Sequence, residues 1–103
     1  MKPVLLFLTC ANKTEADKIS DVLLDKRLVV CIKKFPVSSD YLWKGQKNSA
    51  NEILLIMESE ERLFEKIEKT VKNLHSYKMP VLVSIPITKV STGVFDWFKK
   101  ELK

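Results

Sequence analysis

Residues 4–11 read VLLFLTCA, an unbroken apolar run between Pro3 and Asn12. A run of strand length without polar alternation is typical of a strand buried on both faces, so it predicts a central strand. Apolar, β-branched runs at residues 28–32, 52–58 and 81–86 each predict a further strand. Pro36 has no N–H to donate to a ladder, so it predicts an edge or a bulge in the second strand.

Helical patterns lie between the strands. After the third strand, apolar residues recur with amphipathic spacing at Leu63, Ile67, Val71 and Leu74. Ser59, followed by two acidic residues, is the predicted N-cap of that helix. The first helix is expected to start at residues 12–14, with Thr14 and Asp17 in a capping pattern. A short last helix is expected after Gly93.

The order of elements is therefore β-α-β-β-α-β with an added C-terminal helix, and residues 45–49 form the predicted turn between strands two and three. This order predicts an α/β (α+β) fold of the ferredoxin-like, split-βαβ type. Residues 1–103 are expected to be one domain. The strands are apolar on both faces, although two helices would cover only one face. We therefore expect partner subunits to cover the other.

The composition limits the function classes. The chain has 103 residues and a net charge of +5, and residues 26–47 carry that whole excess. No run approaches the length of a membrane span, so no membrane partner is expected. Residues 1–11 resemble a signal peptide, but their removal would delete the first strand, and a cytoplasmic location is predicted. Only two cysteines occur and no CxxC, which argues against a disulfide framework.

Candidate metal ligands are scattered along the chain. His75 is the sole histidine, and Glu52, Glu58 and the thiols of Cys10 and Cys31 are further donors. No HxxxH or CxxC spacing supports a preformed site within one chain. A site assembled across a subunit interface would need no such spacing. The alternative for His75 is capping or packing at a helix C-terminus, and for each thiol it is packing in the core.

Aromatic residues with a polar group are the candidates for a cleft or a subunit interface. They are Tyr41, Trp43 and Tyr77. Nothing in the sequence supports catalysis, because there is no nucleophile elbow and no evident Ser-His-Asp set. With two glycines in the chain, no glycine-rich phosphate loop is expected. We therefore expect a binding protein and not an enzyme.

Several spaced motifs resemble the CutA divalent-cation tolerance family over residues 5–102. They are Lys26-Arg27-Leu28-Val29-Val30-Cys31, Tyr41-x-Trp43-x-Gly45, Glu52-Ile53-Leu54-Leu55-Ile56, Leu74-His75-Ser76-Tyr77-x-x-Pro80, Ile85-Pro86 and Phe95-Asp96-Trp97. The resemblance implies a ferredoxin-like homotrimer similar to PII signalling proteins. It also implies a response to metal ions and binding of a divalent metal such as copper. Among the candidate donors named above, His75, Glu52 and Cys31 are the expected ligands.

Three positions depart from the family pattern. The family usually has Lys-Thr where this chain has Glu58-Ser59, Glu where it has Val81, and Val-Asn where it has Ile32-Lys33. We expect these changes to alter the ligand chemistry near the subunit boundary. None of them alters the apolar pattern, so the fold should be unaffected.

Two alternatives use the same topology. A PII-like regulatory scaffold without a metal role is one, although the candidate loop around residues 45–51 is short. An RNA-recognition domain is the other, since residues 26–47 are basic and contain Tyr41 and Trp43. The basic-Gly-aromatic signature of such domains is absent, so no nucleic-acid partner is expected.

Overall fold

The computed structural model describes all residues from Met1 to Lys103. The strands are β1 (Pro3–Cys10), β2 (Cys31–Trp43), β3 (Gln46–Glu60) and β4 (Leu82–Pro86). The helices are α1 (Lys13–Asp25), α2 (Phe64–Leu74) and α3 (Val94–Glu101), and a 3₁₀ turn at Glu61–Leu63 precedes α2. No helix combines the length and the hydropathy that a membrane span needs.

The four strands form one antiparallel sheet in the order β2-β3-β1-β4. This is the ferredoxin-like arrangement, and it confirms the predicted fold class. β1 lies inside the sheet between β3 and β4, as its apolar run predicts. Pro36 lies within β2, and β2 is an edge strand, which a residue without an N–H can occupy.

The core lies between the three helices and one face of the sheet. Alternate residues of β1 point into it, and Leu6, Leu8 and Cys10 are fully buried there. The helices contribute apolar residues at helical spacing, among them Ile19, Ile67 and Phe98. This single cluster confirms the amphipathic pattern of the second helix.

The β2–β3 hairpin extends further than the sequence predicts. Its turn is formed by Lys44 and Gly45, whose φ angles are 50° and 76°. Positive φ at both central residues is the type I′ geometry that joins two strands most tightly. The predicted turn at residues 45–49 is therefore wrong beyond Gly45, because β3 starts at Gln46. The predicted start of the second strand at residue 28 is also wrong, because β2 starts at Cys31.

Two predicted helix caps are wrong. Asn12, not Thr14, caps α1, because its Oδ1 accepts a hydrogen bond from the backbone N–H of Glu15 at 2.9 Å. Ser59 does not cap α2, because it is still part of β3. Its buried hydroxyl donates a 2.6 Å hydrogen bond to the carbonyl of Leu28 and so ties the segment that precedes β2 to β3.

The second face of the sheet carries no covering helix. Residues opposite each other in antiparallel strands share a face, so the pairing places one apolar set there. We call it the open face, and its apolar members are Leu5, Phe7, Phe35, Val37, Tyr41, Trp43, Leu54, Ile56, Val83 and Ile85. All of them are exposed or half-buried in the single chain. The strands are thus apolar on both faces, as predicted.

Candidate functional site

Three metal-ligating side chains meet where β1 ends, α1 begins and α2 ends. Cys10 is the last residue of β1, Glu15 is in the first turn of α1, and His75 is the residue that follows α2. One ligand atom from each lies within 4.8 Å of the others. We call this trio the Cys–Glu–His cluster. It lies on the helix side of the sheet, and the His75 side chain is fully buried.

The carboxylate oxygens of Glu15 and the ring nitrogens of His75 already have partners within the chain. The Glu15 carboxylate accepts backbone N–H groups from Ala11 at 2.9 Å and from Ser76 at 2.8 Å. His75 Nδ1 accepts the backbone N–H of Tyr77 at 3.1 Å, and Nε2 lies 2.8 Å from the carbonyl of Thr9. An acceptor Nδ1 places the ring hydrogen on Nε2, which therefore donates to that carbonyl.

The electrostatics of the cluster follow from its burial. Burial, together with the nearby charge of Glu15 and of Glu52, raises the pKa of the Cys10 thiol to about 12. At neutral pH the thiol is therefore protonated. Burial alone would raise the pKa of Glu15. The hydrogen bonds from Ala11 and Ser76, and the nearby His75, outweigh it, and the pKa is lowered overall.

These residues fit a divalent cation by donor type and proximity, since thiolate, imidazole and carboxylate suit zinc and copper. They fit at a cost, because the Cys10 proton and the bond from His75 Nε2 to Thr9 would have to be given up. Without a cation, the cluster is a satisfied network that fixes the end of α2 against β1. The predicted alternative for His75, capping and packing after a helix, agrees with this placement.

Tyr77 links the cluster to the open face. Its ring lies 4.7 Å from the His75 ring, centroid to centroid, and its hydroxyl donates a 2.8 Å hydrogen bond to Glu52 Oε2. Burial and the adjacent Glu52 carboxylate raise the pKa of the Tyr77 hydroxyl. Three of the six predicted site residues are therefore connected: His75 contacts Tyr77, and Tyr77 contacts Glu52.

A groove of about 510 Å³ opens beside Glu52. Its walls include the exposed rings of Tyr41 and Trp43, and Tyr77 forms another part. All three aromatic residues predicted for a cleft or an interface therefore line one groove. Val81, one of the departures from the family pattern, also lines it.

Within one chain, Cys31 lies far from both the Cys–Glu–His cluster and the groove. It pairs with Glu58, which is six residues along β3 from Glu52, and six strand residues span about 20 Å. Its neighbours are the two charged departures from the family pattern. Lys33 Nζ is 3.0 Å from Glu58 Oε1 and 3.4 Å from Cys31 Sγ. These two departures therefore form an ion pair with each other.

Sequence reasoning missed Glu15, which holds the centre of the cluster. A signal for it was available, because Asn12-x-x-Glu15 has the spacing of a capping box. Glu15 differs from the usual box in reaching the N–H of Ala11, one residue before the cap. Glu15 also contacts Ser76 and His75, which are about sixty residues away, and no local sequence pattern predicts contacts over that distance.

Comparisons with known proteins identify the family. The sequence profile described as CutA1 divalent ion tolerance protein matches residues 4–101. The divalent-cation tolerance protein CutA of Thermus thermophilus is 31% identical over 97% of this chain and 97% of its own. That of Archaeoglobus fulgidus is 30% identical over 95% and 96%.

A solved structure, described as the periplasmic divalent cation tolerance protein CutA from Archaeoglobus fulgidus, superposes with a TM-score of 0.95. It is 29% identical and covers 98% of this chain and 99% of its own. These findings do not favour a PII-like scaffold without a metal role. The family is named for tolerance of metal ions and not for a catalysed reaction. With the profile match over almost all of its length, the chain belongs to the CutA divalent ion tolerance family.

Proposed function

We propose that this chain is a one-domain, cytoplasmic, homotrimeric member of the family that binds a divalent cation and catalyses no reaction. The observation that carries the cation role is the convergence of Cys10, Glu15 and His75. The open face supports the trimer. No nucleic-acid or membrane partner is part of the proposal.

The trimer is inferred from the open face. A contiguous apolar surface of this kind on one chain is typical of a protein interface, and covering it would add to a core that is small for a free domain. Phe35 at one edge strand and Ile85 at the other are both exposed and both on this face. The interface would therefore extend across the whole width of the sheet.

Light scattering at micromolar concentration tests the trimer. We expect the parent protein to give three times the chain mass and Ile85→Lys to give a smaller species. Ser84→Lys is the matched control, because Ser84 is an exposed neighbour on the same strand whose side chain faces the other way. A monomeric parent protein, or equal dissociation by both variants, would contradict the proposal.

For the cation, the Cys–Glu–His cluster would supply one thiolate, one imidazole and one carboxylate. The bound ion would hold the ends of β1 and α2 together. Glu52, predicted as a ligand with His75, is one hydrogen-bond step from the cluster through Tyr77. Cys31 belongs to such a site only where two chains meet, because it lies far from His75 within one chain.

Titration with Zn²⁺, which has no redox chemistry, tests the cation site. We expect a higher melting temperature, release of a proton, and tighter binding as pH rises, since the Cys10 thiol must ionise. Copper, the ion named by the resemblance, would follow in the same assay.

The two cysteines provide a matched pair of variants. Cys10→Ala should abolish the Zn²⁺ effect, and Cys31→Ala should retain it. The converse result, loss with Cys31→Ala and Glu52→Gln but not with Cys10→Ala, would place the cation at a subunit boundary. That outcome would overturn the cluster as the site.

A further inference from the structure

Glu52 is a buried carboxylate that has no cationic partner. It is 8% exposed, and no Lys, Arg or His nitrogen lies within 4.0 Å of it. Its one hydrogen bond comes from the neutral hydroxyl of Tyr77 at 2.8 Å. Buried charges in proteins are normally paired or bound to a metal, so this carboxylate indicates a cation supplied from outside the chain.

The groove beside Glu52 indicates what kind of cation. Tyr41, Trp43 and Tyr77 supply aromatic rings, and Met79 supplies an apolar side chain. Aromatic faces attract ammonium groups and tolerate their alkyl substituents. A volume of about 510 Å³ is within the range of small-molecule sites.

A metal ion fits this groove poorly. No histidine or cysteine lines it, and Glu52 is its sole carboxylate. The place where metal-ligating atoms converge is the Cys–Glu–His cluster, on the other side of the sheet. The charge and the aromatic lining of the groove therefore match an organic cation.

We propose that the groove binds a small organic ammonium ion, with its charged head at the Glu52 carboxylate and its carbon groups against Tyr41 and Trp43. Lys78 also lines the groove, outside ion-pair distance of Glu52. Its positive charge opposes the ligand and weakens binding. This site does not depend on the cluster binding a metal. Tyr41 and Trp43 also belong to the open face, so the site requires a trimer interface that covers this face around Phe35 and Ile85 and leaves the groove accessible.

Calorimetric titration of the full chain with choline tests the proposal. The matched neutral ligand is 3,3-dimethylbutan-1-ol, which has the same shape without the charge. We expect choline to bind and the alcohol not to bind at the same concentrations. Glu52→Gln keeps an oxygen for the Tyr77 hydroxyl but removes the charge, and it should weaken choline binding by at least ~tenfold, as expected for loss of a desolvated ion pair.

Two further variants sharpen the test. Glu58→Gln is the control, because Glu58 is on the same strand and face but is paired with Lys33. It should leave choline binding unchanged. Lys78→Gln should tighten binding, since it removes the like charge from the groove wall.

Three results would overturn the proposal. They are equal binding of the neutral alcohol, an unchanged affinity in Glu52→Gln, and absence of choline binding. If choline fails to bind and Glu52→Gln dissociates the trimer, a lysine or arginine of a second copy is the partner of Glu52. Light scattering and Zn²⁺ titration of the same sample show separately whether the trimer or the cation site has failed.

Discussion

Replacing Glu15 by glutamine should destabilise the protein although the two side chains have nearly the same shape. Glu15 joins α1 to the segment after α2, because its carboxylate accepts one backbone N–H from Ala11 and another from Ser76. Its side chain is 11% exposed, and the bond from Ala11 is partly buried, so solvent replaces that bond poorly. Glutamine keeps one oxygen, and its NH₂ group then faces one of the two backbone donors.

The expected loss of stability follows from the number of hydrogen bonds that the Glu15 carboxylate accepts. A hydrogen bond to a charged group contributes about 1.5–3 kcal/mol, and a buried donor left without a partner costs about 1–3 kcal/mol. The Ser76 donor is near solvent, so one lost bond sets the scale. We expect Glu15→Gln to lower the free energy of unfolding by about 1.5–3 kcal/mol.

The assay is urea unfolding at one fixed protein concentration, since an oligomer's stability depends on concentration. Glu65→Gln is the matched control, because Glu65 is in the first turn of α2 but makes no side-chain hydrogen bond. Both variants remove a favourable interaction with a helix N-terminus, about 0.3–1 kcal/mol, so their difference isolates the network.

The pH dependence adds a second readout. The pKa of Glu15 is lowered in the folded state from its ordinary value of 4.5. Its stabilisation is therefore complete well above that value and is lost as pH falls through the lowered pKa. The difference in unfolding free energy between the parent protein and Glu15→Gln should be largest at pH 7 and should disappear in acid. Equal effects of the Glu15 and Glu65 variants, or a difference that does not change with pH, would refute the reasoning.

Three further predictions concern the core, the hairpin and the thiols. Phe98→Ala should cost about 3–5 kcal/mol, because Phe98 is fully buried, whereas the same change at Phe95, 38% exposed, should cost far less; similar melting temperatures would contradict this. Lys44→Asn should raise the melting temperature, since asparagine tolerates the positive φ of Lys44, and a loss of stability would contradict it. An aromatic disulfide reagent should modify half-buried Cys31 before buried Cys10, and two equal rates would contradict that.

The sequence predicted the fold because the core strands and α2 have strong local patterns. Residues 4–11 form an apolar run that only an interior position satisfies, and the helical spacing from Leu63 to Leu74 leaves one face to bury. The arm of β3 from residue 46 to 51 escaped prediction for the opposite reason. Its residues are mostly polar and small, and it is extended because the type I′ turn at Lys44 pairs it with β2.

The errors at Thr14 and Ser59 have a common cause. Both residues have capping chemistry, but capping depends on where the chain leaves the previous element. Asn12 lies at that point for α1. β3 continues past Ser59 because it pairs with β1 as far as Glu60, and the Ser59 hydroxyl is used by Leu28 instead. Local propensity was thus overridden by pairing between strands distant in sequence.

By itself, the sequence determined the order of elements, the ferredoxin-like topology, the apolar character of both sheet faces and the family. These follow from periodicity and from motifs that are local. Only the tertiary structure decided that Cys10, Glu15 and His75 converge, that Cys31 lies apart, and that Glu52 is a buried carboxylate beside an aromatic groove. The physical reason is that side-chain proximity depends on strand register and on where each helix ends, and neither is encoded in the spacing of the residues concerned.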